Sequence, residues 1–312
     1  MVDYDNTATR IEWHQVPTPV RVMIENRLGA GVVSAITQSS GFSHGLAARM
    51  MLSDGRSAFV KAIAADDVLA SAYRAEAACS ALLPPSVPAP RLWFEAEEYG
   101  WFAVGFDDVE GVAPRFDNPR DMADVLTMIE QLPGLLTPSP MPTAPTFTEQ
   151  YGPRMHCWQG FADSGPPPDL DEWSRRNLER LAALEDGWHQ ATVGETLLHS
   201  DIRPDNLILR PDRTVVVVDW AWPSRGAAWV DLVAMAPSIA AAGVDPDKVL
   251  ANHPVTEAVD PAAIDAYLCA LVGYWETHSR RPRLERSPRL REHQARSAVS
   301  TRVWLRRRLP WG

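Results

Sequence analysis

The stretch of residues 197–220 constrains the fold more than any other part of the chain. A short apolar segment precedes the polar sequence HSDIRPDN, a second apolar segment follows it, and consecutive valines after the turn at residues 211–213 lead to Asp219. This pattern predicts three short β-strands, with the polar side chains in a loop and at a strand end. We therefore expect Asp201, Asn206 and Asp219 to face one cleft.

The types and spacing of these residues indicate a particular chemistry. Asp201 offers a carboxylate that can orient a hydroxyl group and accept its proton. Asn206 and Asp219 offer oxygen ligands of the kind that Mg²⁺ prefers. Together they match the requirements of phosphoryl transfer from a magnesium-bound nucleotide. The alternative is that Asp201 only caps a turn and that Asp219 is an ordinary strand-end acid.

Length and cysteine content narrow the class of protein. The 312 residues are enough for two lobes, each with its own core. The polar first ten residues and the absence of a long apolar run predict neither a signal peptide nor a membrane span. Cys79, Cys157 and Cys269 are far apart and indicate reduced thiols in a cytoplasmic protein. Cys157, in a loop-like region, is an alternative candidate for a reactive thiol.

Charge is distributed unevenly along the chain. The net charge is −10, yet residues 280–312 contain eleven arginines and only two acids. The acidic body should repel nucleic acid, so we expect no nucleic-acid partner. The basic segment is interpreted as a helix that pairs its arginines with the acidic body; the alternative is an anion-binding tail.

Residues 1–108 have the pattern of a small α+β lobe. Helices are predicted at residues 18–29, with Thr18 as the N-cap, and at residues 68–83. Strands are predicted at 32–37, 47–52, 57–63, 91–97 and 101–106.

Residues 109–312 are predicted to be mostly helical. Helices are expected at 121–132, 173–192, 234–242, 262–277 and 290–309. The proline-rich residues 133–145 are expected to hold no helix.

Lys61 lies among apolar residues in the third predicted strand. A buried lysine is costly without a partner, and Glu76 is the only acid in the helix that follows. We therefore expect a Lys61–Glu76 ion pair; the alternative is a lysine on an edge strand in water.

In this order, the turn GFSHG at residues 41–45, Lys61, Glu76, the pattern H-x-D-x-x-x-x-N and Asp219 resemble the aminoglycoside phosphotransferase family. The resemblance covers nearly the whole chain. It implies an α+β, bilobal protein-kinase-like fold. An N-terminal nucleotide-binding lobe (residues 1–108) would hold an antiparallel sheet and one main helix, and a mostly helical lobe (residues 109–312) would be catalytic and bind the acceptor.

The resemblance also implies roles for the motif residues. Lys61, positioned by Glu76, would bind the α- and β-phosphates of ATP or GTP. Asp201 would be the catalytic base, and Asn206 and Asp219 would bind Mg²⁺.

Two further segments would contact the nucleotide according to the resemblance. The phosphate-covering turn would comprise Gly41, Phe42, Ser43 and His44, although an ordinary hairpin is the alternative and histidine replaces the asparagine common in the family. A hinge whose backbone meets the adenine edge would comprise Asp107, Asp108 and Val109.

Other residues near the motif are given supporting roles. His199 and Asp231 would brace the catalytic loop, as their counterparts do in the family. Ser200 stands where many members have glycine. For Arg203, two roles stand side by side: contact with the transferred phosphate, or pairing with an acid.

The chain resembles a kinase of small molecules more than a protein kinase. Only eleven residues separate Asp219 from Asp231, which leaves little room for the activation segment of a protein kinase. The acceptor is expected to be a small hydroxylated or amino-bearing metabolite. Aminoglycosides or amino sugars, which would imply antibiotic resistance, stand beside other sugars, amino alcohols and macrolide-like products.

A polycationic acceptor would need several carboxylates. The candidates in the second lobe are Asp163, Asp169, Asp171, Glu172, Glu179 and Glu185, some of which could equally form a solvated helix face. The quaternary state is expected to be a monomer or homodimer. The alternative from another class is a non-catalytic binding module with a kinase fold.

Overall fold

An antiparallel sheet organises the first part of the computed structural model, which describes residues 9–311. Its elements are α1 (Thr18–Leu28), β1 (Val32–Thr37), β2 (Leu46–Leu52), β3 (Ser57–Ala64), α2 (Ala70–Leu82), β4 (Leu92–Glu98) and β5 (Trp101–Asp107). The strand order is β1-β2-β3-β5-β4, with every neighbouring pair antiparallel. The predicted sheet and main helix are confirmed, while the lobe boundary near residue 108 stays a prediction.

The two helices of this lobe bury different apolar clusters. Val20 and Ile24 of α1 are fully buried in a cluster with the sheet residues Leu46 and Val60. The helix ends at Gly29, whose φ of 75° lies in the left-handed region that glycine adopts without strain. The predicted N-cap was one residue late, because Pro17 precedes the first helical residue, Thr18.

Helices dominate the second part of the chain. They are α3 (Pro119–Leu136), α4 (Phe147–Tyr151), α5 (Cys157–Ser164), α6 (Glu172–Arg176), α7 (Leu178–Glu185), α8 (Trp188–Ala191), α9 (Val230–Ala241), α10 (Pro246–Ala251), α11 (Pro261–Ser279) and α12 (Leu290–Arg308). Two small antiparallel pairs lie between α8 and α9: β6 (Thr196–Leu198) with β9 (Ser224–Gly226), and β7 (Leu207–Leu209) with β8 (Val215–Val217). The mixed fold class with a helical second lobe is confirmed.

The expectation that residues 133–145 hold no helix was partly wrong. Helix α3 continues through Pro133 and ends at Leu136. A proline removes one helical hydrogen bond and costs about 3 kcal/mol in a helix interior. Leu132 and Leu136 are both almost fully buried in the core, and this burial favours one further helical turn.

The single helix predicted for residues 173–192 was also wrong, because α6, α7 and α8 divide it. The first break is at Asn177, which is buried and donates from Nδ2 to the Trp173 carbonyl at 3.0 Å. The second is at Gly187. Side-chain packing of this kind outweighs helix propensity, which is a weak preference.

The basic segment forms α12 and pairs with the acidic body, as expected. Arg302 contacts Glu276 and lies 3.2 Å from Asp171, and Arg308 contacts Asp247 and Asp265. Glu276 is only 3% exposed, so its contact with Arg302 keeps a buried carboxylate from being left without a partner.

The cysteines are free and buried. Cys157 begins α5 rather than lying in a loop, and burial raises the pKa of its thiol to about 11, so the alternative of a reactive thiol was wrong. No helix within residues 9–311 is long and apolar enough to cross a membrane. The expectation about a signal peptide rests on residues 1–10, of which residues 1–8 lie outside the described range.

Candidate active site

A network of hydrogen bonds holds the loop between β6 and β7. Asp231, in the first turn of α9, accepts hydrogen bonds from the backbone N–H groups of His199 and Ser200, each at 2.8 Å. The buried His199 donates from Nε2 to the Val218 carbonyl at 2.9 Å and accepts at Nδ1 from the Asp201 N–H at 3.2 Å. Burial lowers the pKa of His199 to about 4, so the ring is neutral. The bracing roles of His199 and Asp231 are confirmed.

Two residues of this region have a left-handed backbone. The φ of Ser200 is 65° and that of Asp219 is 67°. Such conformations cost roughly 1–3 kcal/mol for a residue other than glycine and persist only where the surroundings enforce them. Glycine would adopt the φ of Ser200 without this cost, so the surroundings of Ser200 must hold its backbone in place.

Lys61 joins the sheet lobe to the end of β8. Its Nζ lies 2.8 and 2.7 Å from the two carboxylate oxygens of Glu76 and 2.6 Å from Oδ1 of Asp219. Burial alone would lower the pKa of Lys61, but the two carboxylates raise it. Burial alone would raise the pKa of Asp219, but the charge of Lys61 lowers it to about 2. Lys61 and Asp219 are therefore both charged at neutral pH.

Asn206 is oriented so that its amide oxygen can bind a cation. Its Nδ2 donates to the Asp201 carbonyl at 2.8 Å and to Asp201 Oδ2 at 3.2 Å. The geometry leaves Oδ1 of Asn206 and Oδ2 of Asp219 as oxygen donors. A magnesium ion that keeps water and phosphate ligands needs only one or two such protein ligands, so the pair fits Mg²⁺.

Asp201 lies beside this pair in a partly buried position. Its side chain is 28% exposed, and Arg203 Nη1 lies 3.3 Å from its Oδ1. Desolvation raises the pKa of Asp201 to about 7, in spite of the positive charge of Arg203. Arg203 also binds Asp205 at 3.1 Å. Of the two roles left open for Arg203, pairing with acids is the one observed.

A cavity of about 680 Å³ lies between the sheet and the β6–β9 region. Of the residues predicted to bind nucleotide or metal, eight line it: Gly41, Lys61, Glu76, Asp107, Asp108, Val109, Asn206 and Asp219. Four residues of the predicted site do not: Phe42, Ser43, His44 and Asp201.

The side chains of the predicted phosphate-covering turn make other contacts. Ser43 accepts a hydrogen bond from Arg10 at 2.9 Å, and His44 lies 2.7 Å from Asp67. The Phe42 ring lies beneath Arg203, whose guanidinium carbon is 5.2 Å from the ring centroid. Binding of phosphate by the backbone of this turn stays a prediction.

Sequence reasoning missed Arg10 as a cavity residue. Its Nη2 donates to the Ser40 carbonyl at 2.7 Å, and the side chain lines the cavity beside Gly41. Arg10 comes from a segment without apolar periodicity, so no sequence signal placed it there. Sequence reasoning also missed that the segment before α12 reaches the turn, where Ser287 donates a hydrogen bond to the Phe42 carbonyl.

Comparison with known proteins agrees with this geometry. The model of the phosphotransferase enzyme family, APH, matches residues 40–283. No curated protein matches the sequence. The matched region contains all the predicted site residues, from Gly41 to Asp219.

Solved structures share the fold at low identity. Choline kinase LicA from Streptococcus pneumoniae is 13% identical with a TM-score of 0.60, covering 91% of this chain and all of that chain. A putative fructosamine-3-kinase from Haemophilus somnus is 13% identical with a TM-score of 0.57, covering 93% and 96%. An aminoglycoside phosphotransferase from Streptomyces rimosus, in complex with ADP and streptomycin, is 19% identical with a TM-score of 0.52, covering 81% and 98%.

At these identities the structural similarity shows the fold alone, whereas the family model covers well over half of the sequence. The resemblance found in the motif residues is therefore confirmed, and the chain belongs to the phosphotransferase enzyme family.

Proposed function

We propose that the protein is a magnesium-nucleotide-dependent O-phosphotransferase that acts on a small hydroxylated metabolite. The observation that carries this proposal is the contact of Lys61 with both Glu76 and Asp219 at the wall of the cavity. A buried lysine held between two carboxylates on separate parts of the fold is arranged to bind phosphate oxygens. The site residues and their roles belong to the proposal.

The proposed transfer assigns a separate role to each of these side chains. Asp201 holds the acceptor hydroxyl and takes its proton as the hydroxyl oxygen bonds to the γ-phosphorus. The bond from the γ-phosphorus to the β–γ bridging oxygen breaks, and the nucleoside diphosphate leaves. Lys61 binds phosphate oxygens, and Glu76 keeps the ammonium in place.

Asn206 and Asp219 would hold Mg²⁺. When bound, the ion supplies positive charge that neutralises the phosphate oxygens during transfer. The low pKa of Asp219, about 2, keeps this carboxylate ionised and ready to bind a cation across the physiological range.

Calorimetric titration of the full chain with nucleotide tests the proposal. We expect ATP or GTP to bind in the presence of Mg²⁺ with an affinity better than millimolar. Asp219→Asn should weaken binding roughly tenfold or more, because the substitution removes the negative charge that attracts the metal. The exposed Asp186→Asn is the matched control and should bind as the wild type does. No binding at millimolar nucleotide would sink the proposal.

The pH dependence of kcat/KM for the nucleotide should show an acid limb near pH 7. Asp201 has a pKa raised to about 7 by desolvation, and only its ionised form can accept a proton. Activity should therefore rise with pH through this region and level off above it. The residual activity of an Asp201→Asn variant should lack this limb; a limb that persists there would assign the titration to another group.

The relatives with this fold support nucleotide binding and a small acceptor. They include a choline kinase, a putative fructosamine-3-kinase, and an aminoglycoside phosphotransferase in complex with ADP and streptomycin. For this chain, an aminoglycoside, an amino sugar, another sugar, an amino alcohol and a macrolide-like product are the acceptors to compare. A role in antibiotic resistance requires that one of the antibiotics be phosphorylated.

A further inference from the structure

The carboxylates that a polycationic acceptor would need are used elsewhere in the structure. Asp169 lies 2.9 Å from Arg280, and Asp171 lies 3.2 Å from Arg302 while capping α6. Glu185 is buried and accepts hydrogen bonds from the backbone N–H groups of residues 157–159. These acids hold the helical lobe together and do not form an acceptor site.

The other three candidates, Asp163, Glu172 and Glu179, are exposed acids on α5, α6 and α7. Asp163 is exposed and accepts a hydrogen bond from Gln159 at 3.0 Å. Glu172 lies 3.6 Å from Arg176 on the same exposed helix, and Glu179 is exposed on α7.

A row of aromatic side chains extends from the Phe42 ring, which lies next to the Asp201 partner Arg203. Four of them form a series of ring contacts that we call the aromatic wall: Phe42, His293, Trp275 and Tyr274. The successive ring centroids are 5.2, 5.9 and 4.8 Å apart. Each of the four side chains is partly exposed, and Arg203 links the Phe42 ring to Asp201. A planar or ring-containing acceptor can pack on such a surface.

Three arginines near the Tyr274 end of this wall have no carboxylate partner among residues 9–311: Arg154, Arg281 and Arg291. Arg154 lies over the Trp222 ring, 5.9 Å from its centroid. Arg291 donates only to neutral groups, the Pro282 carbonyl and the Gln294 side chain, at 3.0 and 2.8 Å.

Contacts link two of these cations to His278, because the Arg281 N–H donates to the His278 carbonyl at 3.3 Å and Arg291 donates to the carbonyl of the next residue, Pro282. The His278 ring stacks on Tyr274 with centroids 4.0 Å apart. Burial lowers the pKa of His278 to about 4, and the charges of Arg281, Arg291 and Arg154 act in the same direction. The pKa of Arg291 is lowered by burial and by Arg281. Like charges held together are unfavourable without an anion between them, whereas the nearby Arg280, Arg302 and Arg308 are each paired with acids.

We propose that the acceptor is a hydroxylated compound bearing an oxyanion group, which Arg154, Arg281 and Arg291 bind while the body of the compound packs against the aromatic wall. This assignment rests on the proposed function, because it places the acceptor hydroxyl at Asp201. Carboxylates and phosphate esters share the oxyanion chemistry that guanidinium groups recognise. A polycation would be repelled.

Binding to the nucleotide-saturated protein tests this assignment. The full chain is first saturated with Mg-nucleotide, so that the added anions do not report on the nucleotide phosphate site. It is then titrated with matched probes: glucose as the neutral parent, glucuronate, glucose 1-phosphate and kanamycin. We expect at least one of the two anionic sugars to bind about tenfold or more tightly than glucose, since hydrogen bonds between charged groups are strong. The two anionic probes distinguish a carboxylate from a phosphate acceptor.

Arginine variants test whether the anionic sugar binds at the proposed site. Arg281→Gln and Arg291→Gln should each remove most of the advantage of the anionic sugar over glucose, whereas the exposed Arg306→Gln on α12 should keep it. Stronger binding of kanamycin than of either anionic sugar, no binding of either anionic sugar, or an advantage that survives in both variants would overturn the assignment. Failure of the initial Mg-nucleotide saturation would instead contradict the proposed function.

Discussion

The Asp201→Asn variant is expected to lose phosphoryl transfer by about 10²–10⁴-fold in kcat while its affinity for Mg-nucleotide changes little. The substitution keeps the shape of the side chain and its contact with Asn206 but removes the group that accepts the hydroxyl proton. Asp201 does not line the nucleotide cavity, so the nucleotide contacts stay in place. Single-turnover kinetics together with calorimetry measure the two quantities separately.

Stability measurements on the variant test whether misfolding, rather than loss of the base, causes the loss of activity. The folded-state pKa of Asp201, about 7, lies above the value of an exposed aspartate, so its ionisation destabilises the fold as pH rises from about 4 to 7. The variant lacks this effect and should be at least as stable as the wild type at pH 8. Asp186→Asn serves again as the control and should keep full activity. A variant that retains more than about a tenth of the wild-type kcat would exclude Asp201 as the base.

The Lys61→Met variant is expected to lose both activity and stability. Glu76 is only 4% exposed, and removal of Lys61 leaves its carboxylate buried without the partner that binds both oxygens. Breaking a buried pair in this way costs about 3–5 kcal/mol of unfolding free energy. Denaturant unfolding followed by tryptophan fluorescence measures the loss, and nucleotide titration measures the functional effect.

A change of pH and a second substitution separate the loss of stability from the loss of activity in Lys61→Met. Without Lys61, burial raises the pKa of Glu76, so the variant should be less stable at pH 8, where Glu76 is ionised, than at pH 5. Lys61→Met combined with Glu76→Gln should recover part of the stability but none of the activity, because nothing replaces the ammonium at the phosphates. Lys248→Met, at the exposed lysine on α10, is the matched control. If Lys61→Met alone were as stable as the control, the pair would not contribute to the fold.

The local sequence pattern was sufficient to predict those parts of the site whose residues interact with residues nearby in the sequence. The apolar segments on either side of HSDIRPDN and the valines before Asp219 predicted β6, β7 and β8 and placed Asn206 and Asp219 near their ends. The cost of burying a lone lysine led from Lys61 to Glu76, and the structure confirms this contact. Such inferences succeed because strand periodicity and charge pairing act over short distances in sequence.

Sequence reasoning failed where packing outweighs local preference. Pro133 is a helix breaker by propensity, yet the burial of Leu136 extends α3 beyond it. Residues 173–192 have a continuous helical pattern, yet Asn177 and Gly187 divide the segment. Tertiary contacts decide these cases because intrinsic propensities differ by less than the free energy of burying one large side chain.

The sequence by itself determined the family and the sheet, and it predicted the site residues Lys61, Glu76, Asp201, Asn206 and Asp219, because each carries a chemical requirement that is visible in its type and spacing. Only the tertiary structure decided which charged groups lie near Asp201. Three of the acids that could bind a polycation, Asp169, Asp171 and Glu185, form ion pairs or backbone contacts instead. Arg154 lies near Arg281 and Arg291, although more than a hundred residues separate them in sequence. A charge count cannot show this, since electrostatic interactions depend on distance and burial in the folded chain.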